Sequence, residues 1–153
     1  MNRSVLVSAL AIMVCALLNA NTIVAEPTLE LGDEARFQGI WFMAENVING
    51  YKSTDRQIKP WVLVVEGDEY NPGAGEQSVD YSFRLDPTRT PKTIDLISRE
   101  ELDRGRVYRG IYAFEGESLI VCRPLDSEDE RPAGFSCRPN SGLSRVVWKR
   151  KKD

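Results

Sequence analysis

Hydrophobic and polar residues alternate with a period of two in several short stretches of this chain, which predicts β-strands. Apolar residues take every second position over residues 79–85, and similar alternation runs over residues 40–48. The second stretch ends at Asn49-Gly50, a dipeptide that accepts the positive φ angles of a type I′ turn. The pattern therefore predicts a β-hairpin at this point.

Short apolar runs bounded by turn residues predict the remaining strands. The predicted segments are 61–65, 92–97, 107–114, 118–123, 135–137 and 143–149, while residues 71–75 (Asn-Pro-Gly-Ala-Gly) are predicted to form a loop. A helical turn is predicted only within residues 26–37. Without crossover helices the strands cannot form a parallel sheet, so the prediction is an all-β antiparallel barrel or sandwich.

The first 25 residues have the layout of a secretory signal peptide. Arg3 precedes an uncharged apolar run over residues 5–18, and small or branched residues precede a predicted cut before Glu26. This run is shorter than the roughly 20 residues that a spanning helix needs, so no stable membrane insertion is expected after cleavage. The predicted division is signal peptide 1–25, lead-in 26–36, β domain 37–150 and basic tail 151–153. The protein is expected to be exported, to the periplasm or to the extracellular space.

The charge of the mature chain argues against nucleic acid as a partner. Removal of the first 25 of the 153 residues leaves 128, with 19 basic and 23 acidic side chains and a net charge of −4. Binding to phosphate backbones needs a concentrated basic surface. The basic run 149–152 lies at the chain terminus, where a solvated segment is expected.

Two cysteines, Cys122 and Cys137, remain in the mature chain. In an exported domain two cysteines are expected to form a disulfide. A bridge that closes a loop of about 15 residues would stabilise the fold by roughly 3 kcal/mol. The alternative is a pair of reduced thiols that pack as small hydrophobic side chains.

The chain contains no histidine, which excludes Ser-His-Asp and Cys-His nucleophiles and the common histidine-containing zinc sites. The acidic residues 126–130 lack the glycine and the distal glutamate of an EF-hand loop. No catalytic residue, metal or cofactor is therefore predicted, and an enzyme that uses carboxylates ranks last among the hypotheses. Asp95 lies between two apolar residues and is predicted to be structural, paired with Lys92, Arg109 or Arg131.

Several motifs resemble, in order, a family of small secreted domains found in planctomycetes. They are Gln38-Gly-Ile-Trp41, Leu85-Asp-Pro-Thr-Arg-Thr-Pro-Lys-Thr-Ile-Asp-Leu96, Gly110-Ile-Tyr112, Leu119-Ile-Val-Cys122, Arg131-Pro132 and Trp148-Lys-Arg150. The resemblance covers roughly residues 35–150 and implies an exported bacterial protein, but no activity. The residues singled out as its structural signature are Gly39, Trp41, Asp86, Pro91, Asp95, Arg131 and Arg150.

A second resemblance concerns the fold. Gly39-Ile-Trp41 opens the first strand and Arg150 follows the last, which is similar to lipocalins and fatty-acid-binding proteins, where an arginine packs on the first-strand tryptophan. Such a contact contributes about 0.5 to 2 kcal/mol. The resemblance implies an antiparallel up-and-down, lipocalin-like β-barrel of about eight strands, with an open β-sandwich as the alternative.

Two functions follow as hypotheses. A barrel of about eight strands can enclose one small ligand, so the first is a non-catalytic binding domain for a small lipophilic ligand. The apolar faces of residues 61–65 and 79–85 would then line the cavity. The alternative is a structural or protein-interaction module of the cell envelope, with a filled core and an envelope protein as its partner.

Overall fold

The computed structural model describes residues 32–151, which form ten β-strands and two short helices. The helices are α1 (Asp33–Phe37) and α2 (Asp55–Ile58). The strands are β1 (Gly39–Ile48), β2 (Tyr51–Lys52), β3 (Val62–Glu66), β4 (Glu69–Ala74), β5 (Gln77–Ser78), β6 (Tyr81–Asp86), β7 (Lys92–Ser98), β8 (Val107–Glu115), β9 (Ser118–Pro124) and β10 (Leu143–Arg150).

Eight of the strands form a closed antiparallel barrel. Their order is β1-β3-β4-β6-β7-β8-β9-β10, and β10 pairs back onto β1 through the register Trp41↔Arg150 to Ile48↔Ser144. The short strands β2 and β5 lie outside this circuit and pair with β1 and β4. The prediction of an up-and-down barrel of eight strands is confirmed, and the open sandwich is excluded because the sheet closes on itself.

The first hairpin forms where the sequence predicts it. Asn49 and Gly50 join β1 to β2 with φ angles of 52° and 86°, the positive values that a type I′ turn requires. β1 pairs with β3 through its first four residues and with β10 from Trp41 onward. A bulge between Met43 and Glu45 on the β10 side adds local twist to this long strand.

Two local predictions are wrong. Residues 71–75 are not a loop, because Asn71 to Ala74 belong to β4, which pairs with β3. Pro72 is tolerated there because it lies between two short ladders on the side of β4 away from β3, one of β6 with Glu69 and Tyr70 and one of β5 with Gly73 and Ala74. Residues 135–137 form no strand, and Cys137 there instead donates its thiol to the carbonyls of Val47 and Leu143.

The two helices differ in how far the sequence predicts them. α1 confirms the helical turn within the part of residues 26–37 that the structure describes. α2 was not predicted, because Ile58 is the only apolar residue among the polar residues 52–59. It begins with a capping box in which Thr54 and Gln57 bond reciprocally, and such a box satisfies the free N–H groups of a helix start.

A second buried layer lies on the outside of the barrel. Leu119 and Val121 belong to the barrel core, whereas Cys122, on the opposite face of β9, is also fully buried. Ile111 on β8 is buried in the same way, beside Arg131 and Pro132. The connection formed by residues 125–142, called here the outer segment, therefore covers this face of the sheet.

The predicted signal peptide 1–25, the lead-in up to residue 31 and residues 152–153 lie outside the described part of the chain. Among residues 32–151, no helix has the length and apolar character needed to cross a membrane.

Candidate functional site

One end of the barrel is closed by α1. Phe37, at the end of this helix, is completely buried, with its ring stacked on Phe83 at 5.4 Å and edge-on to Tyr112 and Phe114 at 5.0 and 5.3 Å. Arg36 lies over the Phe114 ring at 3.9 Å. The aromatic contacts fill this end of the barrel, which is called the closed end below.

The predicted contact between Arg150 and Trp41 is present at the closed end. The Arg150 guanidinium carbon lies 4.1 Å from the centre of the Trp41 ring, and the guanidinium donates to the carbonyls of Gln38, at 2.7 Å, and Arg36. The Trp41 indole N–H donates to the Phe37 carbonyl at 2.8 Å. Gly39 has a φ of +112°, and a Cβ there would lie 3.2 Å from Arg150 Nη1. The glycine thus provides both the backbone angle and the space for the arginine.

Asp33 anchors α1 to the barrel wall. Its Oδ2 accepts hydrogen bonds from Lys92 Nζ at 2.7 Å and from the Tyr112 hydroxyl at 2.6 Å. Burial opposes ionisation of Asp33, but these two hydrogen bonds outweigh it and hold the pKa of the carboxyl below its usual value. The closed end is therefore held by a buried, fully partnered carboxylate as well as by packing.

The barrel interior is hollow towards the other end, called the open end below. A cavity of about 280 Å³ lies there. Its inner wall is formed by buried side chains of the core, Leu96, Val121 and Trp148, and its mouth is bordered by polar residues near α2, Ser53 and Gln57. The remaining lining residues are Met43, Asn46, Ile48, Trp61, Tyr70, Pro72, Val79, Tyr81, Arg123, Ser144 and Val146.

Among residues 32–151, Arg123 is the only charged side chain that lines this cavity. Its Nη1 donates to the Pro124 carbonyl at 3.0 Å, and its guanidinium carbon lies 4.9 Å from the centre of the Tyr108 ring. Burial raises the pKa of Tyr70 and Tyr81, and the positive charge of Arg123 opposes both shifts. The cavity therefore combines an apolar wall with a positive charge.

Trp148 presents a polar atom in the inner wall. Its indole N–H is buried and makes no hydrogen bond of normal geometry with any described residue. The N–H is close enough to the Tyr70 hydroxyl to act as a hydrogen-bond donor of poor geometry, which opposes the burial that raises the pKa of Tyr70. The indole N–H is therefore a weakly satisfied polar group in an otherwise apolar part of the wall.

The structure sorts the seven signature residues into two groups. Gly39, Trp41 and Arg150 meet at the closed end, whereas Asp86, Pro91, Asp95 and Arg131 line one cleft on the outside of the barrel. Neither group lines the hollow lumen.

Arg131 is the partner of Asp95 in this outer cleft. Its Nη2 donates to Asp95 Oδ1 at 2.7 Å, and its Nη1 donates to the carbonyls of Gly110 and Ile94 at 2.5 and 3.3 Å. Asp86 accepts hydrogen bonds from the backbone and hydroxyl of Thr88, and these bonds lower its pKa. The charges here are paired within the protein, which supports the structural role predicted for Asp95, with Arg131 bracing the outer segment.

The predicted disulfide is absent, and Cys122 and Cys137 are free thiols. Cys122 lies on the outer face of β9 beneath the outer segment, and burial, with a smaller effect of Cys137, raises the pKa of its thiol to about 11. The Cys137 thiol lies 3.5 Å from the Val47 carbonyl and 3.2 Å from the Leu143 carbonyl, bridging β1 and β10. Each thiol has a separate packing role, as in the reduced alternative that the sequence left open.

Only some of the residues that line the cavity were predicted from the sequence. Of the two faces expected to line it, Trp61, Val79 and Tyr81 do so, whereas Leu63 and Phe83 lie in the packed core. Arg123 and Trp148 were not identified as lining residues. A usable signal was present for Arg123, because it follows Leu119 and Val121 on the same face of β9 at a spacing of two.

Among the described residues, no group of three or more cysteine, aspartate or glutamate side chains is positioned to hold a metal ion. Comparison of the chain with protein-family models, with curated proteins and with solved structures gives no match.

Proposed function

We propose that this protein is an exported, non-catalytic binding domain that holds a small lipophilic ligand in the barrel lumen. The observation that carries the proposal is the cavity of about 280 Å³ inside the closed barrel. Protein interiors are normally packed to the density of organic crystals, so a void of this size has to be explained. Concave, largely apolar cavities with a few polar groups are the usual form of small-molecule sites.

The cavity volume limits the size of the ligand. An apolar cavity of about 150 Å³ accommodates benzene, which has six non-hydrogen atoms. By proportion, the present cavity suits a ligand of about a dozen non-hydrogen atoms. Long lipid chains would have to extend through the mouth.

Filling the cavity with protein atoms tests this proposal. Val146 lines the lumen, so Val146→Phe should place a ring in the cavity. We expect the variant to fold and to bind 1-octanol at least about tenfold more weakly than the unmodified protein, as measured by calorimetric titration. In parallel, the unmodified protein should show a thermal stabilisation that grows with octanol concentration.

The matched control is Val64→Phe, which adds the same ring at a half-exposed position outside the cavity lining. This variant should retain octanol binding. Native mass spectrometry of the protein purified from its own host should also show an extra mass that is lost on denaturation. The proposal is wrong if the unmodified protein neither carries such a mass nor binds octanol.

The alternative, a protein-interaction module of the envelope, is favoured by a different observation. Ile40 and Val64 pair across β1 and β3, Phe42 follows on the same face, and all three side chains are 40% exposed or more. Exposed apolar clusters of this kind occur at protein interfaces. If this surface binds a partner, Phe42→Lys should abolish co-purification of that partner while octanol binding stays unchanged.

A further inference from the structure

Arg123 points into the lumen for two reasons. Side chains alternate between the two faces of β9, and the neighbouring residue on β8 is a glycine, Gly110. Arg123 lines the cavity, whereas the preceding residue, Cys122, lies beneath the outer segment. A Cβ at Gly110 would lie 3.2 Å from the Arg123 Cβ and 2.8 Å from the Cys122 carbonyl oxygen. Glycine at this position therefore leaves room for the arginine stem beside β8.

The guanidinium of Arg123 has no carboxylate partner among the described residues. Other arginines of the barrel and its outer segment are paired with acids, for example Arg131 with Asp95 and Arg145 with Glu45. For Arg123, no ion pair forms within 4.0 Å among the residues described, and its one hydrogen bond goes to the adjacent carbonyl of Pro124.

Two acidic residues lie on the same side of the barrel. Asp103 accepts hydrogen bonds from the hydroxyls of Ser98 and Tyr108, and these contacts occupy both of its oxygens. Glu100 accepts a hydrogen bond from the backbone N–H of Asp80. Both carboxylates act on Tyr81, yet neither forms an ion pair with Arg123. The positive charge in the cavity is therefore available to a ligand.

Arg123 and Trp148 line the same cavity at different depths. Arg123 pairs in register with Ser144 near the start of β10, and Trp148 lies four residues further towards the closed end of the same strand. An extended strand advances about 3.3 Å per residue, so the two levels differ by roughly 13 Å along β10. Apolar side chains, Val121 and Val146, line the space between them.

We infer that the ligand is a small amphipathic carboxylate whose head group binds Arg123 and whose apolar body extends towards Trp148. This inference rests on the proposed function and adds the chemical class of the ligand. The planar guanidinium presents a fork of N–H donors that matches the two oxygens of a carboxylate. In a lumen of low polarity, pairing this charge offsets the cost of burying it.

Octanoate and 1-octanol are suitable probes, because they share the same apolar chain and differ in the head group. Calorimetric titration would measure both on the unmodified protein and on Arg123→Met, which keeps much of the stem and removes the charge. We expect octanoate to bind at least about tenfold more weakly to the variant, since loss of a charged hydrogen-bond partner is costly. The affinity for octanol should differ by less than about threefold between the variant and the unmodified protein.

Two further variants complete the experiment. Arg109→Met removes the same charge from an exposed position on β8, where Arg109 is the cross-strand neighbour of Asp95 on β7. This variant should leave the affinities for octanoate and octanol unchanged. Arg123→Lys keeps the charge without the fork and should weaken octanoate less than Arg123→Met does. If Arg123→Met does not fold, Arg123→Lys tests the carboxylate inference by itself. This variant should then bind octanoate more weakly than the unmodified protein does, while its affinity for octanol is unchanged.

The possible failures are distinguishable. If octanol binds but octanoate does not, or if Arg123→Met leaves octanoate affinity unchanged, the carboxylate inference is wrong and the lumen still binds ligands. If neither probe binds the unmodified protein, the proposed function itself fails.

Discussion

The two ends of the barrel each contain an arginine, and the two arginines are treated in opposite ways. At the closed end, Arg150 stacks on Trp41 and donates to two backbone carbonyls. At the open end, Arg123 lies 4.9 Å from the centre of the Tyr108 ring, donates to the neighbouring carbonyl of Pro124 and lines a cavity. Buried polar groups in folded proteins are normally satisfied, so the fully partnered Arg150 has a structural role, whereas Arg123 keeps donors free for the ligand proposed above. The closed end should therefore determine stability, and the open end should determine binding.

Truncating one tryptophan at each end of the barrel should give the largest difference in stability between the two ends. Trp41→Ala removes a buried side chain from the closed end and should cost about 3–5 kcal/mol in the free energy of unfolding. Trp61→Ala, at the partly buried wall of the cavity, should cost roughly 1–2 kcal/mol. Urea denaturation would measure both values.

The binding data should show the reverse order. Trp61→Ala is expected to weaken octanol binding by about tenfold because it removes part of the cavity wall. Trp41→Ala, measured under conditions where it stays folded, should bind octanol with unchanged affinity. Equal effects of the two variants on stability and on affinity would show that the two ends are not functionally separate.

Asp33→Asn tests how strongly the Asp33 carboxylate stabilises the closed end. It removes the charge that accepts hydrogen bonds from Lys92 and Tyr112, and we expect a loss of about 1.5–3 kcal/mol at pH 7. The pKa of Asp33 is lowered in the folded protein, so its contribution is present above the unfolded value near pH 4 and disappears as the pH falls through the folded pKa. The stability difference between the two proteins should therefore be constant at neutral pH and shrink below about pH 4.

The control for this prediction is Asp86→Asn. Asp86 also has a lowered pKa, because of its hydrogen bonds to Thr88, but its side chain is much more exposed than that of Asp33, at 45% against 10%. Its replacement should change stability much less than Asp33→Asn does. Asp33 would not be a buried anchor if the two substitutions had the same effect at pH 7.

The smallest expected effect is the pairwise coupling between Trp41 and Arg150. A double-mutant cycle with Trp41→Leu and Arg150→Met should give a coupling of about 0.5–2 kcal/mol, the range for a guanidinium over an indole ring. Octanol binding should not respond to either substitution. Strictly additive losses of stability would show that the stacking contributes nothing of its own.

Most of the strands and the first hairpin could be predicted from local signals, namely the period-two alternation and the positive φ angles that Asn49 and Gly50 accept. Closure of the barrel was implied only by the resemblance of Trp41 and Arg150 to the lipocalin pattern, with an open sandwich as the alternative, and the pairing of β10 with β1 resolves it. Residues 71–75 and 135–137 were mistaken because proline, glycine and short apolar runs are ambiguous until the neighbouring strands are known.

Whether the lumen is hollow or filled depends on how the side chains pack, which could not be predicted from the sequence. The same apolar side chains can fill a barrel or line a cavity. The outcome depends on whether their summed volume matches the volume that the eight closed strands enclose, and here a cavity of about 280 Å³ remains. The same is true of the cysteines, since Cys122 is buried on the outer face of β9 while Cys137 bonds to β1 and β10. Pairing of charges likewise depends on distances between residues far apart in sequence, which is why Arg131 pairs with Asp95 while Arg123 forms no ion pair with any described residue.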